Sequence, residues 1–293
     1  MPLSYIILLR LPYQLQLGPI FGWGYLLAGG RLTSWPEVLR FTVVFLLFHI
    51  CAFGGLTALN SYYDRDTGPI GGLWQPPPPP TRLWAFAWGV QIAGCILLLP
   101  LDWRLAAIYT SIVLLALGYS HPRTRWKGHP WKSLVVVAVG QGVLDFAAGA
   151  FTVEAMKWTT PTWFGLLGAT LTVIGYYPLT QLYQVSDDTQ RGDETVAAAL
   201  CKRYGRKALF SVVMLVLFAG GLCNGAALWL ANHPVEAGAL FLGNLAPLLY
   251  IAHWRRDAAS APRDDFLRVH RLMQLTALCF GAYILARLIS GGI

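Results

Sequence analysis

The chain has 293 residues, of which 56% are hydrophobic and 12% charged, with a net charge of +8 and a mean hydropathy of +0.51. A soluble domain carries about 25% charged residues, so the composition excludes an ordinary soluble protein and points to an integral membrane protein. The apolar runs follow one another too closely to leave room for a separate soluble domain, and residues 1–293 are expected to form one membrane domain.

In chain order, the N-terminal MPLSYIILLRLPYQ has no basic region ahead of its apolar stretch and no small-residue cleavage site, unlike a signal peptide. Arg10 and Pro12 suggest a short interfacial helix instead. Runs of roughly 20 apolar residues then mark membrane spans. Nine are expected, at about 14–30, 37–59, 83–100, 103–120, 133–153, 161–181, 208–231, 235–254 and 272–291. The fold is therefore all-α and polytopic, with nine transmembrane helices. Placing the N-terminus inside puts 17 Lys and Arg residues on the inner side and 5 on the outer. Basic loops stay cytoplasmic, so the expected setting is a bacterial inner membrane with the N-terminus and polar loops facing the cytoplasm. The basic residues sit in short loops between spans, which argues against nucleic acid as a partner. The five cysteines are scattered without metal or redox spacing and read as apolar fillers. Pro76 to Pro80 form a stiff spacer of roughly 15 Å.

Three inner loops carry unusual polarity. After the second span, LNSYYDRDTGPIGG places Asn60 and Asp64 four residues apart, with Asp66 beyond them. After the sixth, QLYQVSDDTQRGDET places Gln184 and Asp188 four apart, with Gln181 a turn earlier and Asp187 and Asp193 nearby. Residues at i, i+3 and i+4 share a helix face, so each stretch offers an amide and a carboxylate together. Between them, YSHPRTRWKGHPWK supplies Tyr119, Arg123, Arg125, Lys127 and Lys132. Two sets of oxygen ligands facing a basic cluster suit a Mg²⁺-bound phosphate or diphosphate. The competing account is loop charges that merely anchor helix ends.

NSYYDRD, YSHPRTRWK and DDTQRGDET, in this order after the second, fourth and sixth spans, together resemble the UbiA superfamily of intramembrane prenyltransferases, and the likeness runs through nearly the whole chain. The resemblance implies nine helices around a central lipid-facing cavity. It also implies Mg²⁺ bridging two acidic motifs to the diphosphate of an isoprenyl donor, and a lipophilic acceptor that attacks the allylic cation. Carried onto this sequence, it makes Asn60, Asp64 and Asp188 the catalytic and metal-binding residues, with Asp66 and Asp187 as further metal ligands. Tyr119, Arg125, Lys127, Gln184 and Gln181 would hold the diphosphate. The sequence departs from the usual motifs: Ser61 and Gly68 stand where the first usually has aspartates, and Gln181 and Gln184 where the second does. Asp66, Asp187 and Asp193 are close enough to compensate.

Asp145, in the fifth span one turn after Gln141, is a candidate acceptor-side acid, since intramembrane acids usually face a cavity or a polar partner. His49 in the second span reads as a packing residue. Trp23, Trp84, Trp88, Trp103, Trp126 and Trp131 read mostly as an interfacial belt. Two alternatives belong to other classes: a non-catalytic relative that binds or moves a polyprenyl or other lipid, and a transporter, for which Asp145 is the one strong midplane charge.

Overall fold

Apolar runs closed by prolines, caps and positive-φ glycines set the helices of the computed structural model, which describes residues 3–65, 67–257 and 261–293. Two short helices, Leu3–Leu8 and Leu11–Gln14, come first. The long helices follow: α1 (Gly18–Leu27), α2 (Trp35–Asp64), α3 (Leu83–Leu98), α4 (Trp103–Ser120), α5 (Pro130–Thr152), α6 (Thr160–Gln181), α7 (Arg206–Leu230), α8 (Pro234–Trp254) and α9 (Pro262–Ile289). Starts carry the chemistry that helix N-termini need. Ser34 and Glu37 form a capping box at α2, Asp102 accepts from the Arg104 N–H at α4, and prolines open α5, α6, α8 and α9.

Among the described residues, six of these helices (α2, α4, α5, α7, α8 and α9) are long and apolar enough to cross a membrane. The chain is an integral, multi-pass membrane protein. The other three expected spans coincide with helices of a different character. Helix α1 has 10 residues, about 15 Å of rise against a hydrocarbon core of about 30 Å, and α3 has 16. Helix α6 has 22 residues but is rich in threonine and glycine.

Close packing between α1 and α5 brings these helices together. A Cβ on Gly24 would collide with the Phe146 carbonyl, and one on Gly149 with the Phe21 carbonyl. Small residues at such points let membrane helices approach backbone to backbone. Trp23, expected in the interfacial belt, is instead fully buried, and its indole N–H donates to Asn224 Oδ1 at 3.0 Å, tying α1 to α7. Trp35, Trp84, Trp103, Trp131, Trp163 and Trp229 are the exposed tryptophans near helix ends, as an interfacial belt requires. Helices α2 and α5 each contain a π-helical segment, Leu47–Gly54 and Ala138–Leu144. Such segments are frequent at functional sites, and both border the cavity described next.

Candidate active site

A cavity of ≈ 230 Å³ opens between α2, α4, α5 and α6. Its inner wall is apolar, with Phe53, Leu56, Ile112, Leu115, Val136 and Val137, and its mouth is ringed by polar and charged side chains. Asn60 and Asp64 reach it from the last turn of α2, side by side as their spacing predicts. The helix stops at Asp64 because Arg65 turns into the left-handed region at φ 50°.

The basic loop after α4 swings across to meet them. Arg125 is itself left-handed, at φ 38°, and starts a one-turn 3₁₀ helix, Trp126–Gly128. The Trp126 indole packs where a Cβ on Gly118 would stand, which pins this turn to α4. Lys127 Nζ then donates to Asn60 Oδ1 at 3.0 Å and pairs with the Asp64 carboxylate. Asn60 Oδ1 also accepts from Ser120 Oγ at 3.1 Å. Arg125 Nη1 lies 3.5 Å from Asp64 Oδ1, an oxygen that accepts no hydrogen bond from the described residues. The Lys127 and Asp64 side chains are only 13% and 6% exposed, so screening by solvent is weak.

The second acidic stretch closes the other side. Its residues were expected on one helix, but α6 ends at Gln181 and a 3₁₀ turn, Leu182–Gln184, precedes a separate helix, Val185–Gln190. Burial of Leu182 and Tyr183 in the α7–α9 core pulls the chain off the α6 axis. Gln184 and Asp188 nonetheless both line the cavity. Asp188 Oδ1 accepts from Arg191 Nη2 at 2.8 Å. Gly192, at φ 78°, then reverses the chain, and the Asp193 N–H donates back to the Asp188 carbonyl at 2.9 Å. This is a glycine-dependent helix stop. It aims Asp193 at Arg125, whose Nε and Nη2 grip the carboxylate at 2.9 and 2.7 Å. That two-pronged bond raises the Arg125 pKa above its ordinary value, against the opposing effect of burial.

Several expected residues have other surroundings. Gln181 lines the cavity, but its Oε1 accepts from the Ala197 N–H at 3.1 Å and so caps the Val196–Tyr204 helix. Gln184 spends an amide N–H on the Pro69 carbonyl at 2.8 Å. Asp187 is exposed and stands against Gly68, where a Cβ would come within 2.9 Å of its Oδ2, so the two acidic stretches touch there. Tyr119 lines the cavity and shares a 3.0 Å hydrogen bond with the Tyr177 hydroxyl. Asp66 lies outside the described residues. Asp145 is fully buried beyond the cavity wall, which its neighbour Gln141 lines, and Asp145 Oδ2 lies 4.0 Å from His49 Nε2.

The short helix expected at Arg10 and Pro12 is present as Leu3–Leu8 and Leu11–Gln14, with Arg10 between the two. The chain turns left-handed there, at φ 51°, and folds the side chain inward. It is 6% exposed, lines the cavity, and donates to Ser61 Oγ at 2.7 Å. Arg10, Ser120, Tyr177 and Arg191 are among the site residues that the sequence did not single out.

For a divalent ion, the two sides of the mouth differ in chemistry. On the α2 side, the Asn60 amide oxygen already accepts two hydrogen bonds, its full capacity, and cations crowd Asp64. That side does not fit a metal as it stands. On the opposite side, Asp187, Asp188 and Asp193 gather within seven residues, and Asp188 is the carboxylate there that would share an ion with a bound diphosphate. Among the described residues, no group of three or more His, Cys, Asp or Glu is close enough to hold an ion unaided.

The sequence profile of the UbiA prenyltransferase family matches residues 17–278. The chain belongs to this family. No curated protein sequence matches it, so the further comparisons are of structure. A UbiA homologue from Archaeoglobus fulgidus bound to GPP and Mg²⁺ superposes with a TM-score of 0.68 at 14% identity, over 97% of this chain and 99% of that one. A digeranylgeranylglyceryl phosphate synthase gives 0.64 at 15% identity, over 97% and 98%. An apo UbiA homologue from Aeropyrum pernix K1 gives 0.61 at 17%, over 94% and 97%. At these identities the likeness is one of fold, and the fold is that of the UbiA family.

Proposed function

We propose that this UbiA-family protein transfers an isoprenyl group from an isoprenyl diphosphate to a lipophilic acceptor within the bilayer. On this reading residues 1–293 act as one domain of nine spans, with the N-terminus and the charged mouth on the cytoplasmic side of a bacterial inner membrane. The observation that carries the proposal is the convergence of Asn60 and Asp64, Arg125 and Lys127, and Asp188 on one mouth above an apolar cavity. These residues come from three stretches separated by four helices. A charged headgroup over a hydrocarbon slot is the shape of an isoprenyl diphosphate.

In this proposal the diphosphate lies at the mouth with the isoprenyl chain along Phe53, Leu56 and Ile112. Arg125, Lys127 and Arg10 supply fixed positive charge where negative charge grows as the allylic C–O bond breaks and its electron pair leaves with the diphosphate. Pre-placed charge of this kind in a site sheltered from water is worth several kcal/mol (roughly 3–4 per donor). The apolar wall keeps water from the allylic cation until the acceptor's nucleophilic atom attacks and loses its proton. Mg²⁺, the ion bound with GPP in the Archaeoglobus fulgidus homologue, would supply further positive charge to the leaving diphosphate, with Asp188 as its carboxylate. Asp145 is proposed only to position α5, since it lies behind the wall.

Turnover tests this directly. Detergent-purified protein supplied with geranylgeranyl diphosphate and a lipid extract of its host membrane should release inorganic pyrophosphate with Mg²⁺ present. Asp64→Asn and Asp188→Asn should reduce release about 100-fold while remaining folded. The second reading, a lipid-binding protein without chemistry, is favoured by the cation held against each mouth carboxylate. It predicts no release from any of the three proteins.

A further inference from the structure

We propose that the Lys127 ammonium is a built-in cation that takes the place of a divalent ion on the α2 side of the mouth, so that this protein holds a diphosphate with at most one metal ion, on the Asp188 side. The inference rests on the prenyl-diphosphate reading above and makes it specific.

The first support is geometric. Asn60 and Asp64, an amide and a carboxylate one turn apart, present two oxygens to one point, and Lys127 Nζ stands there, 3.0 Å from Asn60 Oδ1 and paired with Asp64. The ammonium is a compact point charge with three donors and no geometric demand beyond them. With Ser120 also donating to Asn60 Oδ1, the amide oxygen has no lone pair left for a metal.

The second support is the fate of position 61. Serine here gives up a unit of negative charge relative to an aspartate, and a guanidinium fills the space: Arg10 Nη2 donates to Ser61 Oγ at 2.7 Å. Arg10 is buried, so its charge acts at short range with little screening. Among the described residues, Asp64 is the carboxylate on this side, against Lys127, Arg10 and Arg125. A divalent ion entering would meet Lys127, Arg10 and the near edge of an Arg125 already shared with Asp193, against the one carboxylate of Asp64. Mg²⁺ dehydrates reluctantly and is drawn by carboxylates, so this half repels it.

The third support is the contrast with the other half. Asp188 pairs with Arg191 and Asp193 with the Arg125 that bridges both halves, while Asp187 is exposed and close by in sequence. Negative charge is concentrated there, where an ion shared with a diphosphate oxygen is favoured. On the α2 side the cation is thus carried by the chain, as Lys127, rather than recruited from solution.

The test uses the full chain in detergent, geranyl diphosphate as the probe ligand and Mn²⁺ as a spin-active substitute for Mg²⁺. Wild type should bind one Mn²⁺ per protein at saturating geranyl diphosphate. EDTA should weaken geranyl diphosphate binding by about tenfold or less. Lys127→Arg should behave as wild type. Lys127→Met should either gain a second Mn²⁺ or lose about 100-fold in affinity when EDTA is added. Two Mn²⁺ in wild type overturns the inference, as does a folded Lys127→Met whose EDTA response equals that of wild type. If Lys127→Met does not fold, the wild-type Mn²⁺ count and the EDTA response of Lys127→Arg decide. Geranyl diphosphate bound together with two Mn²⁺ sinks the built-in cation alone. No binding under any condition sinks the prenyl-diphosphate reading and the inference with it.

Discussion

Arg125 holds the two acidic stretches together, 3.5 Å from Asp64 through Nη1 and doubly bonded to Asp193 through Nε and Nη2. Its side chain is about one-third exposed (33%), so the ion pair itself contributes only about 1 kcal/mol of stability. Its larger effect is on aim. With Asp193 removed, the guanidinium is free to turn away from the mouth. Asp193→Ala is expected to lower the unfolding midpoint by only a few degrees but to weaken geranylgeranyl diphosphate binding about tenfold, measured by thermal shift and equilibrium binding on the same preparation. A large stability loss with unchanged binding would contradict this assignment. The spacing of Asn60, Asp64 and Asp188 already marks them as a site, and all three line the cavity. Asp193 was visible only as an acid near the second stretch, because its approach depends on the reversal at Gly192. Arg10 was hidden for a similar reason. A left-handed turn at an arginine leaves no periodic trace, so the inward fold of Arg10 onto Ser61 could not be read from the sequence.

At the scale of elements, the apolar runs located every long helix to within a few residues, except that α9 begins about ten residues before the expected span. That extension carries Asp264, Asp265 and Arg268, charges that hide it from a hydropathy reading. The π-helical segments of α2 and α5 were not legible, since a uniformly apolar run shows no periodicity from which a change of pitch could be read. The contact between α1 and α5 was equally hidden, because it depends on which glycines meet. It yields a sharp expectation. Gly149→Val places side-chain carbons against the Phe21 carbonyl and the Tyr25 N–H, where the backbone has no room to give. The substitution should cost about 3 kcal/mol or more, and most of the protein should elute as aggregate in size-exclusion chromatography. Gly89→Val, on α3 where a Cβ meets nothing within 4 Å, should elute as wild type. Equal behaviour of the two variants would show that the α1–α5 approach is not needed.

At the scale of the molecule, the asymmetry of basic residues, 17 against 5, predicts a single orientation in the membrane. The mouth residues come from helix ends and loops after α2, α4 and α6, so the same orientation would put the proposed diphosphate site on the cytoplasmic face. In a background without native cysteines, Arg123→Cys should react with a membrane-impermeant maleimide only in inverted vesicles, and Glu154→Cys only in right-side-out cells. Both residues are exposed. Labelling of both from the same side would break the nine-span topology. The family was legible from three short motifs in order, because charge is confined to a few positions in an otherwise apolar chain. What the sequence could not show was how the reduced set of acids is balanced, since charge compensation by Arg10 and Lys127 is a property of the folded mouth.

On the function proposed above, the Asn60–Asp64 and Asp188 sides of this mouth together bind an isoprenyl diphosphate. The most direct measurement is equilibrium binding of geranylgeranyl diphosphate, with Mg²⁺ present, to detergent-purified wild type, Asp64→Asn and Asp188→Asn. Wild type should bind in the micromolar range, about −8 kcal/mol, and each variant should bind at least tenfold more weakly while keeping its size-exclusion profile. Equal binding by all three folded proteins would contradict the claim, because the ligand would then be held by the apolar cavity alone.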